Sequence, residues 1–403
     1  MTIFGRLFNA TVENPEVPIS SANIVELFGG EKVDAGVTVD EVKSLGLSAV
    51  WCAVTLLAGT IGSLPLHAYR ESEGAGRVKL TSGRAAALLS NPHPDRTPME
   101  LWEVVVGHLL LWGNAYLWKG EDQLGRLREF WPIHPGRVRA GRASDGTKVY
   151  SIDGEAFADR EILHIPGFGY DGVCGVSPVR AARQGLGLAM AAEKFGAKLF
   201  GSGSLATGIL QTEQRLDAGQ ADQIQARWQA KRAGLENAHS TIVLDSGAKW
   251  TQLTIPPEDA QFLQSRAFQI SEIARMFRVP PHMLMDTDKS TSWGTGIEQQ
   301  SIGFVTYTLR PWLVRIEQRL SRVIRPEAAY AHFSVEGLLR GDSKQRADFY
   351  REMWSLGAFN TDDILALEER PPVPDGKGQV RYRPLNFGLL GTADDTTGAP
   401  ADA

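Results

Sequence analysis

The chain reads as an α+β fold in which a domain built on a meandering antiparallel sheet is followed by a mainly helical region, and three observations predict it. Short strand-like runs at 115–119, 127–132, 138–140, 149–152 and 162–165 are separated by turn signals at Gly125, Asp145-Gly146 and Asp153-Gly154. Two helix-forming runs, Pro178 to Phe200 and Pro257 to Val279, bracket a small β-containing insert. A longer helical run, Gly296 to Arg325, carries Ile302, Val305, Leu309, Trp312, Ile316 and Leu320 on one face and has Pro311 inside it. The proline ring removes one hydrogen bond and crowds the preceding turn, so a kink is expected between Tyr307 and Pro311.

Taken in order, residues 1 to about 40 carry scattered apolar residues, two prolines and Gly29-Gly30, the composition of a loosely ordered arm. An apolar helix is expected over Val42 to Ile61, then a strand over Leu64 to Arg70 that turns at Glu71 to Gly76. Arg84 to Ser90 forms a short helix before Asn91-Pro92-His93-Pro94 breaks the chain. Thr97-Pro98-Met99-Glu100 restarts it as a capping box, with proline at the first helical position, and Gly113-Asn114 stops it. The strands named above follow, and Trp51, Trp102, Trp112, Trp118 and Trp131 are assigned to the core and rim of this domain.

Ser177-Pro178 caps the first of the bracketing helices, in which Gly185, Gly187, Gly196 and several alanines leave a flat surface. That surface suits packing within the domain or side-by-side packing between subunits of a closed ring. In the insert, Thr207 to Gln211 and Thr241 to Asp245 read as strands flanking a polar helix, Asp217 to Lys231. It has too little apolar content for a core of its own. Either a neighbouring copy completes it, or it is an ordinary αββα subdomain. Carboxylates at Glu258 and Asp259 favour the start of the second helix, and Pro280-Pro281 stops it. The polar loop Met285 to Gly296, with Trp293 alone in it, is too long for a tight connection and reads as functional or mobile. Ala331 to Leu339 is expected as a strand returning to the sheet, followed by helices capped at Asp342-Ser343 and at Asn360, and by an acidic tail from Gly391.

Composition narrows the function. At 403 residues the chain can hold two or three domains, and 43% hydrophobic with 22% charged residues is ordinary for a folded, soluble protein. A net charge of −5 argues against a protein that grips nucleic acid through its phosphates, since that requires a basic face, and leaves room only for local basic patches. The two cysteines, Cys52 and Cys174, form neither a disulfide framework nor a zinc cluster. Met1 to Ala10 has no apolar run of signal length, so no secretory leader is expected. Leu47 to Leu66 is long and apolar enough to raise a membrane span, but its glycines and Pro65 suit a buried core helix better.

Catalytic patterns are missing: there is no HExxH, CxxC, GxSxG or GxxxxGK[ST]. The glycine-rich segment from Gly167 to Pro178 lacks a phosphate loop's lysine and spacing and reads as a structural entry to a helix. Cys174 would need a histidine brought to it, His164 reads as a hydrogen-bonded core residue, and Asp286 with Asp288 lack further ligands for a metal. No enzyme, no metal and no cofactor is expected.

Several segments, taken together in this order, resemble the portal proteins, or head-to-tail connectors, of tailed bacteriophages in their compact siphophage and prophage form. They are Ser48 to Val54 through Leu64-Pro65-Leu66, Asn91 to Pro94, Leu110 to Tyr116, Ile162 to Ile165, Asp171 to Pro178, Glu272 to Leu284, Trp293 to Gln300 and Thr308 to Leu313. The resemblance spans about 42 to 340. It implies the portal fold: a flexible arm (1–41), an antiparallel-sheet wing (42–176), a first stem helix (177–204), a small α/β clip (205–256) and a second stem helix (257–284). After these it implies a tunnel loop (285–296), a kinked helix with a strand returning to the wing (297–340), a short helical crown (341–390) and a disordered tail (391–403). The implied assembly is a ring, usually of twelve, at one capsid vertex of the virion, formed in the host bacterial cytoplasm. Double-stranded DNA would pass through it during packaging and ejection, without regard to sequence. The implied partners are the large terminase subunit, a head-tail adaptor, and the major capsid or scaffold protein. On this basis Lys289, Ser290, Thr291, Ser292 and Trp293 are expected to face DNA, Arg227, Lys231 and Arg232 to meet motor or adaptor, and Pro311 to kink the helix. The alternative is a membrane-associated oligomeric scaffold anchored by Leu47 to Leu66.

Overall fold

The structure, a computed structural model, describes residues 31–72, 76–201, 208–211, 249–252, 259–285, 300–339, 343–368 and 370–382, with isolated positions between 219 and 226. Chain contacts divide it after Ser334 into two units.

Residues that had been expected to belong to a flexible arm open the first unit as a small hairpin, β1 (Glu31–Lys32) with β2 (Thr38–Val39), which buries Val33 and Val39. Helix α1 (Glu41–Ser44) is capped by Asp40, whose carboxylate accepts Lys43 N–H at 2.6 Å. The expected single helix over Val42 to Ile61 is therefore two, because the chain turns at Gly46 before α2 (Ser48–Gly62) begins. On α2, Val50, Ala53, Val54, Leu57, Ala58 and Ile61 are buried, recurring at three- and four-residue intervals on one face. That face meets α4 (Pro98–Trp112), which buries Leu101, Trp102, Val105, Val106, Leu109 and Leu110. The Thr97 capping box is present on both sides, Glu100 N to Thr97 Oγ1 and Thr97 N to Glu100 Oε2. Helix α3 (Arg84–Ser90) lies between them in sequence, with the bounds its pattern gave.

The expected single meandering sheet is three small antiparallel sheets of three strands each. Strand β5 (Asn114–Glu121) is central in one, between β10 (Ile162–Pro166) and β6 (Leu127–Ile133). The second runs β7 (Val138–Arg142), β8 (Lys148–Ile152), β9 (Glu155–Ala158). Tyr116, Trp118, Ile133 and Ile162 of the first pack with Tyr150, Ile152 and Phe157 of the second in one apolar cluster. The third pairs β3 (Leu66–Ser72) with β4 (Gly76–Lys79) on one side and β13 (Tyr330–Phe333) on the other. The returning strand thus joins this sheet rather than the one around β5, and stops at Phe333 where a strand to Leu339 was expected. Its outer edge is closed by the helix before it: Ala331 N–H donates to Ser321 Oγ at 3.0 Å and Phe333 N–H to Glu317 Oε1 at 2.7 Å. Side chains here occupy the donors that an open edge would offer to another strand.

One turn of helix, α5 (Pro178–Ala181), precedes α6 (Arg183–Gly201), with a break at Ala182 where one run was expected. At Gly187 the flat surface of α6 is used within the chain: a Cβ there would lie 2.2 Å from Val33 Cγ2. In the insert, β11 (Gly208–Gln211) pairs with β12 (Lys249–Gln252). The expected partner, Thr241 to Asp245, and most of the expected helix Asp217 to Lys231 lie outside the described residues. Helix α7 (Asp259–Phe277) packs on α2 and α6. A π-helical stretch, Phe304–Leu309, leads into α8 (Arg310–Ile324), with Pro311 in its first turn. The wide turn brings Arg310 N–H to Val305 O, five residues back, just ahead of the residue that has no N–H to give.

The second unit holds α9 (Glu336–Leu339), α10 (Ser343–Ser355) and α11 (Thr361–Leu367). Gly357 leaves α10 at a φ of 68° and Asn360 with Asp363 forms the capping box of α11.

Candidate functional site

Helix α7 ends with Arg278 in the left-handed region (φ 57°), and Pro280 and Pro281 prevent its continuation. A 3-10 turn, Pro281–Leu284, follows and delivers Met285, also left-handed (φ 61°) and 84% exposed. The chain is next described at Gln300. Both margins of the intervening segment are fastened. Buried Thr308 donates its hydroxyl to Arg278 O at 2.5 Å, tying the π-helical stretch to the end of α7. Cys52 on α2 has its Sγ 4.0 Å from Met283 O. Behind these tethers Ile273, Ala274, Phe277, Val279 and Leu284 are buried on one margin, and Phe304, Val305 and Leu309 on the other. Two contacts therefore fasten the described residues on either side of 286–299.

A second constellation sits where α4 passes into β5. Gly113 ends α4 at a φ of 72°, and a Cβ on it would stand 2.1 Å from Val176 O. Gly175 returns the approach, since its Cβ would stand 2.1 Å from Gly113 O. Only glycine fits at either place. Asn114 then exhausts its amide: Oδ1 accepts Gly175 N–H at 2.7 Å and His164 Nε2–H at 3.0 Å, while Nδ2 donates to Gly175 O at 2.7 Å and Trp112 O at 3.2 Å. The His164 ring stacks on Tyr116 at 4.4 Å, and Tyr150 donates its hydroxyl to Asp159 Oδ1 at 3.1 Å, with His164 Nδ1 3.4 Å away. Burial first, and then the positive charges of Lys148 and Arg319, push His164 down to about 3, so it is neutral at physiological pH. Burial likewise pushes the Cys174 thiol up, which opposes thiolate chemistry.

The hub extends to the start of the helical region. Ser177 caps α5 through Arg180 N–H at 3.2 Å and donates its own hydroxyl to Leu111 O at 2.6 Å. Glu41, only 3% exposed, accepts Arg180 Nε–H at 3.1 Å. Residues 41, 111, 114, 164, 175 and 177 thus form one continuous joint between the sheets and the helix entered at Ser177. The joint orients elements; its groups are saturated by one another and leave none free to take a ligand.

Lys289, Ser290, Thr291, Ser292 and Trp293, within 286–299, lie outside the described residues, and so do Arg227, Lys231 and Arg232. Pro311 is described, directly after the π-helical stretch. The hub escaped sequence reading because its pairs are 50 and 61 residues apart. The signal that could have found it is Asn114 placed immediately behind a helix-terminating glycine. Trp102 and Trp118 are buried as expected, whereas Trp51 is 57% exposed, on the surface of α2. Leu188 and Phe195 on α6, Phe268 on α7 and Tyr307 in the π-helical stretch are also more than half exposed. No helix among the described residues is long and apolar enough to cross a membrane. Among the described residues, no three His, Cys, Asp or Glu side chains gather to hold a metal ion.

Comparison with known proteins gives a consistent result. A family model described as "Phage portal protein" matches residues 48–369. The chain is 35% identical over 386 residues to a "Probable portal protein" of Streptomyces phage phiC31, covering 90% of this chain and 83% of that one. It is 32% identical over 363 residues to the "Portal protein" of Enterobacteria phage HK97, covering 86% and 85%. Among solved structures, an HK97-family phage portal protein from Corynebacterium diphtheriae superposes with a TM-score of 0.57 at 18% identity, covering 74% of this chain and 96% of that one. A chain from the neck of a native gene transfer agent particle, computed with C12 symmetry, superposes with a TM-score of 0.55 at 20% identity, covering 88% and 95%. At these identities the structures speak for the fold alone.

Proposed function

The chain belongs to the phage portal protein family, and from that premise we propose that twelve copies close into a ring at one capsid vertex and form the channel through which double-stranded DNA enters and leaves. Its function is that of a phage portal protein, and the membrane-scaffold alternative is not favoured, no described helix being able to span a bilayer. The observation that carries the channel reading is the two-point mount. Thr308 and Cys52 hold both margins of segment 286–299 against a packed helical frame, as a loop that works against a moving duplex requires. In this reading 42–176 is the wing, 177–204 and 257–284 the stem, 205–256 the clip, 285–296 the tunnel loop and 341–390 the crown. Lys289, Ser290, Thr291, Ser292 and Trp293 approach the DNA, and Pro311 kinks the helix that braces them. Arg227, Lys231 and Arg232 on the clip meet the large terminase subunit or the head-tail adaptor, and the outer ring meets the capsid or scaffold protein. The ring assembles in the host cytoplasm and ends in the virion; no catalytic step is assigned to it.

Twelve chains of net charge −5 give a ring of about −60, so the duplex slides past a wall that does not hold its phosphates. The test is a packaging complementation assay. Lys289→Ala with Trp293→Ala is expected to lower DNA packaging or retention, and charge reversal at Arg227, Lys231 and Arg232 to lower motor-stimulated packaging. Unaltered particles from the first variant overturn the loop assignment, and from the second the clip assignment.

A further inference from the structure

We propose that the basic stripe of helix α8, centred on Arg319 and Arg322 with Lys148 beside it, is a second, sequence-independent contact for the phosphate backbone of duplex DNA, carried by residues other than those of segment 286–299. The portal reading supplies the duplex as the polyanion, and the inference rests on it to that extent.

Residues 310–325 hold Arg310, Arg315, Arg319, Arg322 and Arg325 against a single acid, Glu317, in a chain whose overall charge is negative. Glu317 is already engaged: Oε1 accepts Phe333 N–H at 2.7 Å and faces His332 Nδ1 at 3.0 Å. Among the described residues, Arg319, Arg322 and Lys148 have no ion-pair partner. Arg315 donates Nη1–H to the carbonyls of Pro166 and Gly167 at 3.0 and 2.8 Å, and its buried Nε has no acceptor. The cations converge rather than scatter. Lys148 on β8 is held below the ordinary lysine value by burial and then by Arg319, and Arg315 is lowered by the same two causes. Asp159 acts on Lys148 in the opposite sense, but Arg319 and Arg142 act beside it, so the stripe keeps a surplus of positive charge.

Geometry selects the kind of anion. Arg319 and Arg322 stand at i and i+3 on one flank of the helix, ~4.5 Å apart along its axis, with Arg315 one turn earlier held on the carbonyls of Pro166 and Gly167. Phosphates of one strand recur at about 3.4 Å of duplex axis, so more than one falls within reach of such a pair. Arg319 and Arg322 also line an open groove of about 660 Å³ between α8 and β13, together with Glu317, Ser321, Tyr330 and His332. Neighbouring guanidinium groups beside an open groove suit a periodic backbone better than one fixed carboxylate cluster.

The experiment mixes assembled rings with relaxed, closed circular duplex, which cannot thread a closed channel, over a series of salt concentrations. Wild-type rings are expected to retain the circle. Arg319→Gln with Arg322→Gln should weaken retention about tenfold at ~0.1 M salt and flatten the salt slope by roughly two. Arg319→Lys with Arg322→Lys should bind within about threefold of wild type, since both charges remain. The proposal is overturned if wild-type rings do not retain the circle, or if the glutamine pair retains it as well as wild type does. Displacement by polyglutamate at far fewer charge equivalents than by competing duplex reassigns the stripe to an acidic protein. Loss of rings in the glutamine pair with rings intact in the lysine pair reassigns it to a contact between copies. Absence of rings from the wild-type chain strikes the portal reading instead, and the duplex measurement is then read on the unassembled chain by the same criteria.

Discussion

The joint around Asn114 and the mount around Thr308 answer opposite needs. At the joint, backbone passes backbone through glycine, every amide group of Asn114 is bonded, and His164 is sealed at 3% exposure. At the mount a single strong hydrogen bond and one long sulfur contact hold two helix ends, and Met285 and Tyr307 stand in solvent at 84% and 74% exposure. The glycine-rich run 167–178, read as a structural entry to a helix, and the Gly113-Asn114 pair, read as a helix stop, meet in one close-packed joint.

Breaking the joint should have the largest effect. Gly113→Ala places a methyl against Val176 O and forces a side chain into a left-handed backbone, with an expected loss on the order of 3 kcal/mol or a chain that fails to fold. Denaturant unfolding of the soluble fraction measures it, and a loss near zero would show that the joint has slack. Acid should act next. His164 has its folded value depressed to about 3 from an ordinary 6.5, so the stability it contributes is complete above pH 6.5 and is lost as pH falls toward 3. At pH 5.5 the loss is about 1.4 kcal/mol. His108 is pushed down to about 3 by burial and then by His134, and adds in the same direction. Melting followed between pH 7.5 and 5 tests this, and His164→Gln should flatten the dependence. Smallest is Thr308→Val at the mount, expected to cost about 1 kcal/mol because one hydrogen bond is lost and Arg278 O is left unpaired. Its specific sign is faster proteolytic cutting between Met285 and Gln300, with the acid response of the joint unchanged. Equal sensitivity to pH and to protease at both places would erase the contrast.

What could be read beforehand follows the range of the interactions. The Thr97 capping box, the helix Arg84–Ser90, the Asn360 cap and most strands of the first domain are set by neighbours within a few residues, and they were legible. The sheet around β3 was not, because it depends on β13 finding β3 some 260 residues earlier, Phe333 opposite Leu66. Strand β9 was missed since Glu155–Ala158 is short and carries a single large apolar residue, Phe157. Pro311 announced a disturbance in the third helix but not its form, a π-helical stretch placed before the proline. His164 was legible as a hydrogen-bonded core residue; its partner Asn114, on another strand, was not.

The central claim is that this chain closes into a portal ring, and the most direct measurement is the native mass of the purified chain together with its negative-stain projections. A mass near twelve subunits with end-on views showing an axial hole is the predicted result. A chain that remains a compact monomer at high concentration, with capsid and scaffold proteins present, would contradict it.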